Sequence, residues 1–458
     1  MNIDDYTAHD ATGLRELISA GHVTAAEVEQ AARQALTEAN NRVNGLASPP
    51  FSPALGHDPG GPLAGVPFLI KDIGPMAAGV PFFLGSRALG PGVPARGDTD
   101  LMRRFRAAGL VTLGLTTMPE LGLCFTTEPV RFGPARNPWD LGRSAGGSSG
   151  GAAALVAAGA VPVAHASDGA GSIRVPAACC GLVGLKPSRG RVPYGPDLGE
   201  AGFGMVEPFV LTRTVRDTAL MLDVVSGPAT GDKYTAPPYP ALPGPRRLRV
   251  AVTTEAWSGA PVDHEVAASA ERTALLLQRQ GHLVERASPA VDWDAVIQAL
   301  VVTQIAFLGS VFRHSPLDPA LLEGVSRSTL EAAGELGALD LMAALDAQNR
   351  VTRSVAAFFT DHDVLVTPTM ARLPAPLGTI RYDEPGLELE PFVRSMFDHA
   401  PFTPPFNVTG QPAISLPLGR SVSGLPIGVQ LVAGYGREDL LLTLASGLEQ
   451  EAPWPRVS

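Results

Sequence analysis

The sequence predicts an α/β fold, arranged as one domain that spans residues 1–458. Short apolar runs typical of buried strands alternate with helical patterns along the chain, which is the element order of an α/β layer arrangement. No internal repeat, low-complexity linker or abrupt change of composition divides the chain. Because 45% of the residues are hydrophobic, the chain can bury a sizeable core.

The first quarter of the chain predicts helices, a loop and two strands. Thr24 and Glu27 stand at the spacing of a capping box, which marks the start of a helix. A short apolar run of strand type ends at Lys71. The predicted elements are helices within residues 14–46, a Pro/Gly/Ser-rich loop over 49–61, the strand ending at Lys71, a helix over 98–108 and a strand over 110–115.

The second half of the chain resumes the alternation after a Pro/Gly-rich stretch, residues 187–208, whose lack of periodicity predicts a loop layer. The predicted strands cover residues 248–253, 283–286, 363–368, 412–417 and 425–432. The predicted helices cover residues 264–280, 291–310, 321–359 and 438–450.

Charge and cysteine content restrict the class of protein. The 35 basic and 45 acidic residues give a net charge of −10, which argues against nucleic acid as a direct partner. Cys124, Cys179 and Cys180 have no metal-site spacing, so we expect no metal and a reducing, cytoplasmic compartment. The first residues lack the basic and apolar regions of a signal peptide, and the longest apolar run, residues 152–164, is too short to span a bilayer. We therefore expect a soluble protein without a membrane partner.

Lys71 is the first candidate for chemistry. It follows apolar residues at a strand end, where burial can lower a lysine pKa by about 3–5 units and leave a neutral amine that acts as a general base. The alternative is a solvated lysine that begins a loop and pairs with Asp72. From these residues alone the second interpretation is favoured.

Two glycine-framed serine loops follow, centred on Ser148 and Ser172. The first, residues 146–150, matches the nucleophile elbow of α/β-hydrolases with either Ser148 or Ser149 as nucleophile, but glycine-rich runs satisfy that pattern easily. It lacks the Gly-Lys-Ser/Thr of a phosphate-binding loop, and a plain tight turn before a helix would also fit.

The second loop, residues 168–172, is a run of small residues whose backbone N–H groups can converge on one point. Such a nest can serve as an oxyanion hole, and a serine at its end is placed to attack the same carbonyl. A tight turn is the alternative here. In either case we expect an ion pair between Asp168 and Arg174.

These loops resemble the signature block of the amidase signature family. The shared features are Gly-Gly-Ser148-Ser-Gly-Gly, Asp168-Gly-Ala-Gly-Ser172-Ile-Arg174-Val-Pro and Cys180-Gly-Leu-Val-Gly-Leu-Lys-Pro. The stretch before Lys71, the stretch 136–140, and the C-terminal stretches 406–417 and 424–432 also resemble the family. The resemblance therefore covers residues 10 to 454.

The resemblance implies a large mixed β-sheet covered by helices on both faces and a Ser–cis-Ser–Lys triad. In it Ser172 is the nucleophile, Ser148 the bridging serine on a cis peptide bond and Lys71 the base. The backbone N–H groups of Gly169, Ala170, Gly171 and Ser172 would form the oxyanion hole, supported by Ser167, Asp168 and Arg174. The implied reaction is amide hydrolysis through an acyl-serine, with no cofactor and no metal.

Ala170 departs from the family, which usually has glycine there, and Ser167 stands where threonine is usual. The Asp-Gly-Ala-Gly-Ser variant and the pair Cys179-Cys180 resemble the branch that contains the 6-aminohexanoate cyclic-dimer hydrolases. Rival functions are the A subunit of a glutaminyl- or asparaginyl-tRNA amidotransferase, a carbamate or aryl-amide hydrolase, and, from another class, a binding protein with an inactive triad.

The substrate pocket is the part of the site that the sequence defines least. Its expected walls are residues 121–127 with Cys124, residues 194–205, helical residues 301–312 and residues 401–407. These stretches are apolar or uncharged apart from Asp197 and Glu200, so we expect a small-molecule amide with an apolar or linear aliphatic acyl part. A homodimer stays open as the oligomeric state.

Overall fold

The computed structural model describes residues 1–238, 246–313 and 317–457. The helices in these ranges are α1 (Ile3–Ala8), α2 (Ala11–Ser19), α3 (Ala25–Val43), α4 (Asp100–Ala107), α5 (Gly150–Ala157), α6 (Arg174–Cys180), α7 (Val215–Val225), α8 (His264–Arg279), α9 (Trp293–Phe312), α10 (Gly324–Glu335), α11 (Ala338–Asp361), α12 (Leu389–Phe397), α13 (Pro405–Thr409) and α14 (Glu438–Glu451). The strands are β1 (Pro67–Lys71), β2 (Pro81–Phe82), β3 (Val93–Pro94), β4 (Val111–Thr116), β5 (Arg136–Asn137), β6 (Asp140–Ser144), β7 (Val163–Asp168), β8 (Val183–Lys186), β9 (Glu207–Thr212), β10 (Arg249–Val252), β11 (Leu283–Arg286), β12 (Val364–Pro368), β13 (Ala413–Arg420) and β14 (Pro426–Ala433).

Ten of these strands form one mixed sheet in the order β11-β10-β12-β14-β13-β8-β9-β7-β1-β4. The strands at both edges run parallel to their neighbours, whereas those in the middle pair antiparallel. The helices pack on this sheet, so the α/β fold with a large mixed sheet is confirmed.

The pairing of β1 with β7 positions the site. The two strands run parallel, with Phe68 opposite Val163 and Leu69 opposite Ala164. Their carboxyl ends therefore lie at the same edge of the sheet, which is where open α/β sheets bind ligands. Lys71 ends β1 and Asp168 ends β7 at this edge.

The helix predicted from the capping box begins where expected. The Thr24 hydroxyl accepts from the Glu27 backbone N–H at 3.2 Å, and the Thr24 N–H donates to the Glu27 carboxylate at 2.8 Å. These bonds satisfy backbone donors that the first turn of α3 leaves unpaired. Helices α2 and α3 together account for the helical pattern at residues 14–46.

Two predicted segments differ from the structure. The loop over residues 187–208 ends early, because Glu207 and Pro208 already belong to β9. The helical pattern over residues 321–359 is two helices, α10 and α11, and the break falls at residues 336 and 337. Gly337 caps α11 and donates its N–H to the Asp340 carboxylate at 3.0 Å, which starts a new helix instead of continuing the old one.

Helix α9 is the one helix in the described ranges that is long and apolar enough to cross a membrane. Its apolar side chains have places inside the protein: Leu300, Ile305 and Leu308 are at least 92% buried, and they also line the large cavity described below. Packing inside the protein and around the cavity therefore accounts for the apolar character of α9 at these positions.

Candidate active site

A cavity of about 440 Å³ opens at the carboxyl ends of β1 and β7. Its lining is mainly apolar, and its few polar groups include Lys71, Ser148, Ser167 and Ser172, together with Gly169 and Ala170 of the small-residue loop. The structure thus brings the sequence-predicted lysine and serines to one site. Amphipathic cavities of this size with a few convergent polar groups are typical of small-molecule sites.

Lys71 is fully buried, so the solvated alternative is wrong. Its Nζ lies 2.7 Å from Ser148 Oγ, 2.9 Å from Ser149 Oγ and 3.1 Å from Ser167 Oγ. It does not pair with Asp72, whose carboxylate accepts backbone N–H groups of the loop after β2 instead. Burial lowers the pKa of Lys71 to about 7, against an opposing effect of the Asp168 charge.

The hydrogen bonds around Lys71 indicate which serine can give it a proton. A neutral amine has two N–H donors and one lone pair, so it donates to two of the three hydroxyls and accepts from the third. Ser149 Oγ is committed elsewhere as a donor, to the Ser167 carbonyl at 3.3 Å. Ser148 is the nearest hydroxyl, and its side chain has no other hydrogen-bond partner among the described residues. Ser148 is therefore the hydroxyl best placed to donate to the lysine lone pair.

The loop that carries Ser148 passes close to other backbone. The Gly147–Ser148 peptide bond is cis. A Cβ at residue 147 would lie 2.6 Å from the Cys124 carbonyl and 2.7 Å from the Thr126 carbonyl, so only glycine fits there. Ser149 is fully buried behind the loop and does not line the cavity, which argues against Ser149 as a nucleophile.

The small-residue loop leaves its backbone donors free. Within the described ranges, the N–H groups of Gly169, Ala170, Gly171 and Ser172 make no hydrogen bond to the protein. Gly171 has a φ of +148°, whereas Ala170 is not among the residues with a positive φ. The alanine that departs from the family pattern therefore occupies a position that does not require glycine. Four free donors beside a serine are what an oxyanion hole needs.

Asp168 and Arg174 form the ion pair that the sequence predicts, and both side chains are fully buried. Arg174 Nε and Nη2 each lie 2.9 Å from an Asp168 carboxylate oxygen. Because of Arg174, and despite burial, the pKa of Asp168 is lowered to about 2. The carboxylate also accepts from the backbone N–H groups of Ile173 and Arg174, which fixes the turn after Ser172.

Three residues that support this pair were missed by the sequence reasoning: Thr403, Asn407 and Gln430. Arg174 Nη1 donates to the Thr403 carbonyl and to Gln430 Oε1, and Nη2 donates to Asn407 Oδ1 at 2.5 Å. Thr403 Oγ1 donates to the Ala170 carbonyl at 2.7 Å, and Asn407 Nδ2 donates to the Asp168 carbonyl at 2.8 Å. The signals in the sequence were that Asn407 and Gln430 stand inside family-like C-terminal stretches, and that Thr403 and Asn407 stand in a stretch expected to line the pocket; neither signal indicated a contact with Arg174.

The cavity walls agree with three of the four expected stretches. Residues 121–125 with Cys124 line the cavity, as do Tyr194, Asp197, Leu198 and Ala201 of the second stretch and one face of the third, which includes Val301, Ile305 and Leu308. The expectation for residues 401–407 is wrong: within the described residues they lie outside the lining, because Phe402 and Phe406 pack against Trp257 in the interior. Helix α12 forms the wall that the sequence did not predict, through Leu389, Val393, Met396 and Phe397.

Cys124 lies in the wall and is 2% exposed, and burial raises the pKa of its thiol. It is a neutral group of the wall rather than a reactive thiolate. In the described part of the chain no three His, Cys, Asp or Glu side chains are grouped so that they could hold a metal ion.

Known proteins share both the sequence and the fold of this chain. The profile of the amidase family matches residues 17–442. A 6-aminohexanoate-cyclic-dimer hydrolase of Paenarthrobacter ureafaciens is 38% identical over 470 residues, which cover 97% of this chain and 95% of that protein. A putative amidase AmiC of Mycobacterium tuberculosis is 39% identical over 466 residues, which cover 98% and 95%. A solved structure of 6-aminohexanoate cyclic dimer hydrolase superimposes with a TM-score of 0.90 at 36% identity, covering 98% of both chains. The chain therefore belongs to the amidase family, and it is an enzyme that hydrolyses carbon–nitrogen bonds other than peptide bonds.

Proposed function

We propose that this protein is a serine amidohydrolase that cleaves linear or cyclic aliphatic carboxamides, with Ser172 as nucleophile, Ser148 as bridging serine and Lys71 as base. The observation that carries the proposal is the buried Lys71 amine, 2.7 Å from Ser148 Oγ on the floor of an apolar cavity that Ser172 also lines. The similarity to 6-aminohexanoate-cyclic-dimer hydrolases supports an aliphatic amide as the substrate.

Acylation begins when Ser172 Oγ attacks the amide carbonyl carbon. The Ser172 proton passes to Ser148, and the Ser148 proton passes to the lone pair of neutral Lys71, so no histidine is needed. The carbonyl oxygen becomes an oxyanion held by the free N–H groups of residues 169–172. When the C–N bond breaks, the amine leaves with a proton returned along the same path, and an acyl-serine remains.

Deacylation repeats the proton path with water in place of Ser172. Water adds to the acyl carbon, and its proton goes through Ser148 to Lys71. When the bond between the acyl carbon and Ser172 Oγ breaks, that proton returns from Lys71 through Ser148 to Ser172 Oγ, which leaves the free acid, the Ser172 hydroxyl and a neutral lysine. Every proton moves between groups of this chain, the substrate and water. The chemistry as written requires no cofactor.

The cavity favours an apolar acyl part. Among the described residues, Lys71 and Asp197 are the charged side chains of its lining, and Asp197 is exposed to solvent. A zwitterionic substrate such as free glutamine would place its α-ammonium and α-carboxylate among aliphatic and aromatic side chains without partners, which is costly. An aliphatic chain loses no hydrogen bonds on entering and buries apolar area.

The proposed compartment and partners are consistent with the cysteines and with the reaction. All three cysteines are buried free thiols, in accord with a reducing, cytoplasmic compartment. The small-molecule amide is the one partner that the reaction needs, and nucleic acid and membrane have no part in it.

The test is hydrolysis by the purified protein alone. The substrates are the 6-aminohexanoate cyclic dimer, hexanamide, an aryl amide, a carbamate and glutamine, each assayed beside Ser172→Ala. We expect turnover of the aliphatic amides and a fall of at least about 10⁴-fold in the variant, because the covalent intermediate is lost. Ser149→Ala is the matched control and should retain its nucleophile.

Other outcomes would overturn the proposal in distinct ways. Turnover of glutamine alone, or only with an added partner protein, would make the chain an amidotransferase subunit. Preference for the aryl amide or the carbamate would show that the substrate belongs to that class and is not an aliphatic carboxamide. Activity that persists in Ser172→Ala but vanishes in Ser149→Ala would identify a different nucleophile.

A further inference from the structure

Two buried glutamates lie behind the cavity wall, and the proposed reaction uses neither. Glu120 and Glu323 are both fully buried. Glu120 accepts the Ser86 hydroxyl at 2.5 Å with one oxygen and the Glu323 backbone N–H at 2.7 Å with the other. Glu323 accepts the Val130 N–H at 2.7 Å, and its second oxygen has no hydrogen-bond partner in the described residues.

Each glutamate belongs to a different wall of the cavity. Glu120 begins the turn Glu120–Gly122, and Leu121 and Gly122 line the cavity. A Cβ on Gly122 would lie 3.6 Å from Ser148 Oγ, so this turn adjoins the proposed bridging serine. Glu323 precedes α10, whose Val325 lines another part of the cavity. The bond from the Glu323 N–H to the Glu120 carboxylate therefore fastens the two walls together.

The surroundings of this pair make a second negative charge costly. Asp383 lies near both glutamates, and its carboxylate accepts the Gly324 N–H at 3.0 Å. Cys124 and Tyr382 also face Glu323, and the Tyr382 hydroxyl has no described hydrogen-bond partner. Arg87 is the nearby cation that acts in the opposite direction. Burial, followed by the charge of Glu120, raises the pKa of Glu323 to about 8, and burial also raises the pKa of Glu120.

We infer that Glu120 and Glu323 are positioning residues: the bond from the Glu323 N–H to the Glu120 carboxylate holds the wall beside Ser148 closed against α10, and ionisation of the buried Glu323 side chain, which has an unpartnered oxygen, loosens this wall. The inference rests on the proposed function only in regarding the cavity as the substrate site. The contacts themselves do not depend on which amide is cleaved.

The sign of the pH effect follows from linkage. In the closed wall the pKa of Glu323 is about 8, whereas in an opened, hydrated wall it returns toward its ordinary value of 4.5. The closed form therefore binds more protons, and raising the pH between these values favours opening by up to about tenfold per pH unit. Above about pH 8 both forms are ionised and the effect levels off.

The rate of Cys124 alkylation measures how readily the wall opens, and the measurement requires no enzymatic turnover. Iodoacetamide labelling is followed by peptide mass mapping from pH 6 to 9 in the wild type and in Glu323→Gln, which keeps the acceptor for Val130 and cannot ionise. We expect the wild-type to Glu323→Gln ratio of Cys124 rates to rise toward pH 8 and then level off. The Glu323 charge also contributes to raising the pKa of the Cys124 thiol, which by itself would lower this ratio as the pH rises, so a rising ratio reports opening of the wall; Cys179, buried in the core, is the internal control.

A second variant removes the fastening at every pH. In Glu120→Met both acceptor oxygens are removed while most of the side-chain volume is kept, so the Glu323 N–H and the Ser86 hydroxyl lose their shared partner. We expect faster Cys124 labelling than in the wild type across the whole pH range, and a raised KM with a smaller change in kcat for whichever amide is cleaved. A labelling ratio to Glu323→Gln that stays constant or falls with pH, or unchanged labelling in Glu120→Met, would overturn the inference even if the amidase activity is as proposed.

Discussion

At the scale of single residues, the protonation of Lys71 controls the reaction. Burial lowers its pKa to about 7, and only the neutral amine can take the Ser148 proton. We therefore expect kcat/KM to rise with pH up to about 7 and to level off above it. Measuring the pH profile of kcat/KM in Glu323→Gln separates the titration of Lys71 from the proposed pH-dependent opening of the cavity wall. A profile that is flat from pH 5 to 8 would contradict the role of Lys71 as base.

Lys71→Arg tests the same residue by a different route. The guanidinium keeps a charge and hydrogen-bond donors, but it stays protonated at every accessible pH. We expect activity to fall by about 10²–10⁴-fold with no recovery at high pH, because no lone pair can accept the proton. Lys186→Arg is the matched control. Lys186 is also fully buried, and burial likewise lowers its pKa to about 7. It donates to the Pro187 carbonyl outside the cavity, so the proton path does not include it.

The same residues show what sequence can and cannot predict at this scale. Glycine-framed serines and a lysine at a strand end are local patterns, and they singled out Ser148, Ser172 and Lys71 as candidates. By themselves these patterns favoured a solvated lysine, and the triad roles came from the family resemblance. Ser149, which contacts Lys71 at 2.9 Å, was weighed only as a nucleophile, since nothing in the sequence distinguishes a hydroxyl that supports a lysine from one that attacks. Asn407 and Gln430 reach Arg174 across more than 200 residues, and no local pattern predicts such contacts.

At the scale of elements, the loop between β7 and α6 depends on one glycine and not on its neighbour. A Cβ at Gly171 would lie 2.4 Å from Thr403 Oγ1, the hydroxyl that holds the Ala170 carbonyl. We expect Gly171→Ala to lower kcat by about 10²-fold or more, because the displaced loop loses oxyanion donors. Ala170→Gly should retain activity and change the free energy of unfolding by no more than about 1 kcal/mol. Comparable loss in both variants would contradict this account of the loop.

Element prediction was accurate where one pattern dominated and failed where two competed. The capping box predicted the start of α3, and apolar runs predicted β1, β4, β12 and β14. Strands β7, β8 and β9 were not predicted, because small and polar residues such as His165, Ser167 and Gly184 interrupt their apolar pattern while tertiary pairing in the sheet centre supplies the stability. The wall formed by α12 could not be predicted, since amphipathic helices do not reveal which cavity they face.

At the scale of the whole molecule, Arg174 joins segments from both halves of the chain beneath the active site. Its five N–H donors are all used: two bind the Asp168 carboxylate, and the others bind Thr403, Asn407 and Gln430. Asp168 ends β7 in one half of the strand order, whereas Gln430 lies on β14 in the other half. The side chain thus connects the oxyanion loop to the C-terminal strands.

Removing this arginine should destabilise the entire fold and not only the loop. In Arg174→Met the Asp168 carboxylate and two side-chain amide oxygens stay buried with fewer partners, and we expect the free energy of unfolding in urea to fall by about 3–5 kcal/mol. Arg143→Met is the matched control: its pair with Asp140 is partly exposed, and its loss should cost about 1 kcal/mol or less.

The low pKa of Asp168 adds a pH dependence to the comparison of the wild type with Arg174→Met. The stabilisation by the Asp168 charge is present above the ordinary aspartate value of 3.8 and is lost as the pH falls toward about 2, so the difference in stability between the two proteins should narrow at strongly acid pH. A difference that stays constant down to pH 2, or a loss no larger than that of Arg143→Met, would show that Arg174 does not join the two halves energetically.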